Sequence, residues 1–303
     1  MSLDRVAAID IGTNSVLLLV VERRGDRLVT VEDVATITRL GEGVGASGAL
    51  TAAARARTLA CLESYAGRLA RARVDRLEVV GTSAMRDARG GREFAAEAGA
   101  LLGVTPRVIS GEEEAALTFS GALRGLGLEG DATVFDVGGG STEIVVGAVG
   151  RAPSAACSLQ LGSVRLHERH FASDPPSPDE VARLRADVTA ALRSAPPPRG
   201  PLVGVAGTVT SLAALALGLR DYDPSRIHGA ALSAVTVTDQ ASRLRALTIA
   251  GRRELTGLDP RRADVIAAGA TLVEGVMGWA GARELVVSDG GVRWGLVLRA
   301  LTR

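Results

Sequence analysis

The stretch FDVGGGSTEIVV, residues 135–146, joins a hydrophobic strand, an aspartate, three glycines, Ser141, Thr142 and Glu143 to a second hydrophobic strand. Three consecutive glycines cost conformational entropy and leave nothing to pack, so between two rigid strands they mark a place where bare backbone is required. Such a turn exposes N–H groups with no side chain in the way. Phosphate oxygens accept hydrogen bonds from those groups, and the hydroxyls of Ser and Thr add further donors. Asp136, at the end of the first strand, is repelled by phosphate, but it can hold a hydrated Mg²⁺ that bridges to phosphate.

The same design occurs twice. IDIGTNSVLLLV (9–20) shares with FDVGGGSTEIVV the pattern Asp–apolar–Gly–x–x–Ser between two strands, 126 residues earlier. A repeat of this kind predicts two similar domains, each offering a glycine turn. Asp10 is the counterpart of Asp136. A third element, VGVAGTVTSL (203–212), sets Gly204, Gly207 and Thr208 at a strand-to-helix transition, where a helix N-terminus favours an anion. Three such loops in one chain point to a polyphosphorylated ligand.

The rest of the composition narrows the choice. The chain has 303 residues, 47% of them apolar and 23% charged, which fits a globular protein of two domains. Only eight residues are aromatic and the formal charge is +1, which argues against a nucleic-acid surface. All 35 basic residues are arginine, so a Walker-type loop with its lysine is excluded and arginine must supply any side-chain cation for phosphate. Cys61 and Cys157 lie far apart and read as reduced thiols of a cytosolic protein. There is no signal-peptide pattern, and VLLLVV (16–21) is too short to span a bilayer.

Strands are expected at 5–10, 15–22, 27–40, within RLEVVG, at PRVIS, 133–137, 143–149, in LVGVAG and in ELVV. Helices are expected at 51–74 (opened by a Thr cap), 92–103, 112–126, 181–195, from near Thr208, at 263–281 and at the C-terminus, with loops at GEGVGASG, PPSP and PPPRGP. The order is that of an α/β protein.

The motifs DIGTNS, GTSAMRDA, ISGEEEA, DVGGGSTE, LGSVRL, GVAGT and SDGGVRWGL, in this order and spacing, resemble the exopolyphosphatase / guanosine pentaphosphate phosphohydrolase family. The resemblance covers essentially the whole chain and matches the short, two-domain members. It implies an α/β fold of two ribonuclease-H-like domains of the actin, sugar-kinase and heat-shock-chaperone superfold around an interdomain cleft. Domain I is expected at 1–120 plus 291–303 and domain II at 121–290. It also implies hydrolysis of the terminal phosphate of inorganic polyphosphate with Mg²⁺, or of guanosine pentaphosphate, by a cytoplasmic homodimer.

Residue by residue, Glu114 stands where the family's SGxxE pattern has the general base that activates water. Acidic residues at a helix start are otherwise favoured by the dipole alone, a reading that suffices for Glu112 and Glu113. Asp136 and Glu143 match residues that hold Mg²⁺ or the attacking water, and Asp10 does comparable work in the first domain. Gly12, Thr13, Asn14, Ser15, Gly138, Gly139, Gly140, Ser141 and Thr142 are expected to cradle phosphates, with Gly207 and Thr208. Arg86 matches an arginine that reaches the substrate. Arg165, Arg262 and Arg293 read equally as ion-pair residues. His167, His170 and His228 read as structural histidines.

Three positions depart from the family pattern: Leu17 where Arg or His is frequent, Gly90 where Asn is common, and Trp294 where Glu is usual. They bear on substrate range. Two other classes remain open at this point, a kinase or ATP-driven machine on the same superfold and a non-catalytic sensor of polyphosphate or alarmones. Retention of Glu114, Asp136 and Glu143 together favours the hydrolase.

Overall fold

The computed structural model describes residues 4–302 and divides into two compact α/β units. One runs up to Gly121 and takes in the chain from Val292 onward; the other is Ala122–Gly291.

In the first unit β1 (Asp4–Ile11) and β2 (Ser15–Arg24) form an antiparallel hairpin extended by β3 (Arg27–Ile37). After a single-turn α1 (Val44–Ser47) and α2 (Ala52–Ala72), β4 (Arg76–Gly81) joins β1 in parallel. Then come α3 (Ser83–Asp87), α4 (Gly91–Leu102), β5 (Arg107–Val108) and α5 (Gly111–Leu123). The sheet order is β3-β2-β1-β4-β5. Strand alternation assigns each residue to a face. Ala7, Ile9 and Ile11 join Leu62, Tyr65 and Phe94 on one side, while Val6 and Ala8 join Trp294, Leu296 and Val297 of the C-terminal helix Val292–Leu301 on the other. Both faces are covered, which is why these strands read as nearly unbroken apolar runs.

The second unit repeats the order. Strands β6 (Asp131–Val137), β7 (Thr142–Ala148) and β8 (Ala155–Leu159) form an antiparallel meander. After α6 (Ser163–His170) and α7 (Pro178–Leu192), β9 (Leu202–Val205) pairs in parallel with β6. The helices α8 (Ala206–Ala216) and α9 (Pro224–Ile227) precede β10 (Ala231–Ser233). They are followed by α10 (Ala234–Ala246), α11 (Ile249–Arg253), α12 (Ile266–Ala280) and β11 (Glu284–Val287). The sheet order is β10-β11-β9-β6-β7-β8, so β8-β7-β6-β9-β11 reproduces the first sheet strand for strand. Helix α12 is buried from Ile266 through Val273 and again at Val276 and Met277 in this unit's core, as its composition requires.

Several expectations shift. GEGVGASG is not wholly a loop, because Gly43 and Gly48 bracket α1 in left-handed conformations. Helix α7 starts at Pro178 rather than 181. Ser177 and Glu180 form a capping box with Pro178 in the first turn, so part of the supposed loop PPSP is a helix start. Helix α8 opens at Ala206, earlier than Thr208, with Ala206 at φ 71°. Strands β8 and β10 and helices α6, α9, α10 and α11 were not anticipated.

The two departures outside the hairpins have structural reasons. Gly90 caps α4 at φ 87°, a left-handed conformation that Gly and Asn both tolerate, so exchange between them preserves the backbone. Trp294 is 4% exposed in the core beside Val6 and Ala8.

Candidate active site

The two hairpin turns close in the same way. Gly12 N–H donates to the Ser15 carbonyl at 3.0 Å, and Gly138 N–H donates to the Ser141 carbonyl at 3.1 Å. At either glycine a Cβ would stand 3.0 Å from that same carbonyl oxygen. Close approach is therefore what favours glycine at both places.

In the second unit the glycine loop is held by the start of α6. Ser163 N–H donates to the Gly138 carbonyl (2.9 Å), Val164 and Arg165 N–H donate to the Gly139 carbonyl (3.0 and 3.1 Å), and Arg165 Nε donates to the Gly140 carbonyl (2.7 Å). A trans peptide sets each carbonyl opposite the following N–H. Three carbonyls drawn toward α6 therefore aim the amides of Gly139, Gly140 and Ser141 the other way, as an anion cradle requires. The packing is tight: a Cβ on Gly162 would lie 2.4 Å from the Gly139 carbonyl and 2.5 Å from the Gly140 nitrogen. Thr142 is fully buried and its hydroxyl donates to the Leu161 carbonyl at 2.7 Å, so that hydroxyl proton is committed to the fold.

Asp136 and Glu143 are direct register partners across β6 and β7, and Glu143 is in turn paired with Ser158 on β8. Glu143 is 1% exposed and accepts from Ser158 Oγ at 2.7 Å. Like charges facing one another across an antiparallel pair destabilise a sheet. Two carboxylates set this way fit Mg²⁺, which takes one or two protein carboxylates together with water and phosphate. Among the described residues no group of three His, Cys, Asp or Glu side chains forms a metal cluster.

In the first unit the turn is held by a different segment. Thr38 and Arg39 N–H donate to the Asn14 carbonyl (3.1 and 2.9 Å) and Gly41 N–H to the Thr13 carbonyl (2.9 Å). Asp10, Thr13 and Asn14 are buried, and neither amide atom of the Asn14 side chain has a hydrogen-bond partner. Ser15 and Gly12 are half-buried. Glu114, in the first turn of α5, is 7% exposed and accepts from Arg86 Nη1 at 3.0 Å. Arg86 also donates to the Ile109 carbonyl at 3.2 Å. The neighbouring Glu113 instead takes a bidentate bond from Arg107 (2.6 Å each) and one from Arg299 (2.7 Å). Arg107 first, then Arg299, holds its carboxyl at a pKa of about 2. Ion pairs with Arg107 and Arg299, rather than the helix dipole alone, thus account for Glu113.

At the third loop a Cβ on Gly207 would fall 2.1–2.4 Å from the Arg262 guanidinium, which lies flush on that backbone. Burial pulls Arg262 below the usual arginine value, against the carboxylate of Asp259. Thr208 is 4% exposed, packed beside Gly269. Arg293 pairs with Asp33 at 2.7 Å. His170 lies 3.0 Å from Asp187, and His228 Nε2 lies 2.9 Å from the Arg124 carbonyl.

Sequence reasoning missed Ser158, which orients Glu143, and Gly162, Arg39 and Gly41, which hold the turns. LGSVRL was recognised as a motif, and the glycine in it was the available signal for Gly162.

Exopolyphosphatase 2 of Mycobacterium tuberculosis is 39% identical over 318 aligned residues, covering 98% of this chain and 99% of that protein. A guanosine-5'-triphosphate,3'-diphosphate pyrophosphatase of Vibrio cholerae is 39% identical over 165 residues, 54% of this chain and 33% of its own length. The crystal structure of the Aquifex aeolicus member of the Ppx/GppA family superposes with a TM-score of 0.85 at 31% identity, over 99% of this chain and 98% of that one. The profile of the Ppx/GppA phosphatase family matches residues 19–303, and the chain belongs to that family.

Proposed function

We propose that the chain is an exopolyphosphatase that removes the terminal phosphate of inorganic polyphosphate. The observation that carries this reading is the full-length correspondence to the mycobacterial exopolyphosphatase. In the reaction a water oxygen bonds to the terminal phosphorus as the terminal anhydride P–O bond breaks, releasing orthophosphate and a chain one unit shorter. Glu114 orients the water and takes its proton, a role worth ~10²–10⁴-fold in rate. The turns Gly12–Ser15 and Gly138–Thr142, through their outward-facing amides, hold phosphate oxygens together with Gly207, Thr208 and Arg86. Asp136 and Glu143 are the residues that would hold Mg²⁺ in the second unit, and Asp10 is their counterpart in the first. When bound, the ion supplies charge neutralisation on the phosphates.

The runner-up substrate is guanosine pentaphosphate, favoured by the likeness over about half the chain to the Vibrio cholerae enzyme. A purely sensing role is the third reading. Among the described residues no helix is long and apolar enough to cross a membrane. The proposal takes the working form to be a cytoplasmic homodimer.

The test is phosphate release, with Mg²⁺, from short and long polyphosphate, guanosine pentaphosphate and ATP, beside Glu114→Gln. Turnover of polyphosphate that is abolished in the variant supports the proposal. Turnover of the guanosine compound alone moves the assignment to the runner-up, and binding without any turnover leaves the sensor.

A further inference from the structure

Tyr222 stands apart from the other aromatic side chains. It is 54% exposed, whereas Tyr65, Phe94, Phe119, Phe135 and Trp294 are buried and Phe171 and Trp279 pack against the second unit's core. It lies on the segment between α8 and α9, and its hydroxyl donates to Asp289 Oδ1. The ring is thus tied at its polar end while more than half of the residue stays in solvent. A tyrosine held by its hydroxyl, with its apolar body exposed, is a usual means of recognition.

The topology of the second sheet says what lies near it. Strands β6, β9 and β11 are parallel neighbours, so their carboxyl ends share one edge of the sheet. Ligands of open α/β sheets bind outside the carboxyl ends of the strands. Asp136 pairs with Val205, and Ser288 N–H donates to the Gly204 carbonyl at 2.8 Å just past the Val287–Gly204 pairing. The three strands therefore end level. Beyond β6 comes the glycine turn, beyond β9 comes Gly207 with the Arg262 guanidinium flush upon it, and beyond β11 comes Asp289 with Tyr222. Asp259 and Tyr222 both act on the Arg262 charge, which puts the ring within electrostatic reach of the guanidinium. Neighbouring strands lie ~4.8 Å apart, so the glycine turn and the end of β11 are separated by ~10 Å along this edge.

The two ends of the edge differ in what they accept. The amides of Gly139, Gly140 and Ser141 suit phosphate. At the other end Asp221 and Asp223 flank Tyr222 in the chain and Asp289 holds its hydroxyl, so a phosphate group is repelled there. An uncharged base is not, and every base has a face that stacks on an aromatic ring.

We propose that Tyr222 is a nucleoside-binding residue: the base of a nucleoside polyphosphate stacks on its ring while the phosphates run past Arg262 to the Gly138–Ser141 turn. This rests on the phosphate-binding reading of that turn proposed above. The second unit then takes a second class of ligand besides inorganic polyphosphate, and one side chain tells the two apart.

The experiment sets GTP beside inorganic tripolyphosphate, which carries the same number of phosphates without a nucleoside. Binding of each is measured by calorimetry to the parent, Tyr222→Ala and Tyr222→Phe, all in the Glu114→Gln background so that neither ligand is consumed. Tyr222→Ala is expected to weaken GTP by about 5–150-fold and to leave tripolyphosphate as it was. Tyr222→Phe keeps the ring and should keep most of the GTP affinity. Equal weakening of both ligands in Tyr222→Ala overturns the proposal, because the segment rather than the ring would then be at work. A loss in Tyr222→Phe as large as in Tyr222→Ala overturns it too, since the tie to Asp289 would then be what matters. Normal tripolyphosphate binding with GTP untouched by Tyr222→Ala removes the nucleoside site and leaves the phosphate reading of the turn standing. A parent that binds neither ligand overturns both.

Discussion

Asp136 and Glu143 face one another across β6 and β7, and the equivalent places in the first hairpin hold Asp10 and Leu17. One copy of the repeated turn thus pairs two carboxylates and the other pairs a carboxylate with an apolar side chain. Leu17 is the counterpart of Glu143, which is proposed to hold the metal in the second hairpin.

The facing carboxylates should trade stability for function. Asp136→Asn is expected to abolish most turnover yet raise the thermal midpoint of the metal-free protein by about 1–3 °C, as about 0.5–1 kcal/mol of cross-strand repulsion is relieved. Added Mg²⁺ should stabilise the parent and not the variant. Scanning calorimetry with and without Mg²⁺ checks both, and a variant less stable than the metal-free parent would show that the pair is already neutralised.

Glu114 and Arg86 act as a bonded pair but should separate in their readouts. Glu114→Gln keeps the hydrogen bond from Arg86, so kcat should fall ~10²–10⁴-fold with polyphosphate binding retained. Arg86→Ala leaves a buried carboxylate without that donor and should cost about 1–3 kcal/mol besides weakening binding. Denaturant melts and single-turnover kinetics distinguish the two.

Gly162 touches no proposed ligand, yet Gly162→Ala should be among the most damaging single changes in the second unit. Its Cβ would overlap the Gly139 carbonyl, so either α6 or the glycine loop must shift. The expected result is a turnover loss of about 10²-fold, on the scale of a 1 Å displacement at a site, in a protein that still folds. Full activity would mean the loop is supported from elsewhere.

Acid should weaken the fold in two stages. His228 is half-buried, with Nδ1 accepting from Asp289 N–H at 3.3 Å, and burial holds its pKa below 6.5. The unfolded chain therefore takes the proton more readily, and stability falls as pH drops through about 6.5. Glu113, held at about 2, contributes stability that is complete above 4.5 and is lost as pH falls from there toward 2. Midpoints measured from pH 8 to 3 should show both limbs, with His228→Asn flattening the upper and Glu113→Gln the lower.

Much of this architecture is written locally. The two hairpins are legible because Asp, Gly and Ser recur at fixed offsets between apolar runs, and the core of β1 and β2 follows from their composition. Thr51 announced α2 by its capping chemistry, and its side chain does accept from Ala54 N–H. Helix α6 was not legible, since it is short, polar and preceded by a Gly162 cap that makes no side-chain bond. Its function is tertiary: it lies against a loop twenty-odd residues earlier in the chain, and no local pattern records that contact. The same holds for Arg39, whose left-handed backbone is imposed by partners at Asn14 and Arg57.

The three carbonyls fastened to the start of α6 have a consequence for the catalytic cycle. Their peptide planes are oriented by the fold of the second unit itself. On the proposed reading of this loop, each arriving phosphate meets amides already turned outward, so the entropy of arranging them is not lost again at every turnover. An enzyme that shortens a polymer one unit at a time repeats its binding step many times on one molecule, and a loop set in advance keeps every repetition the same.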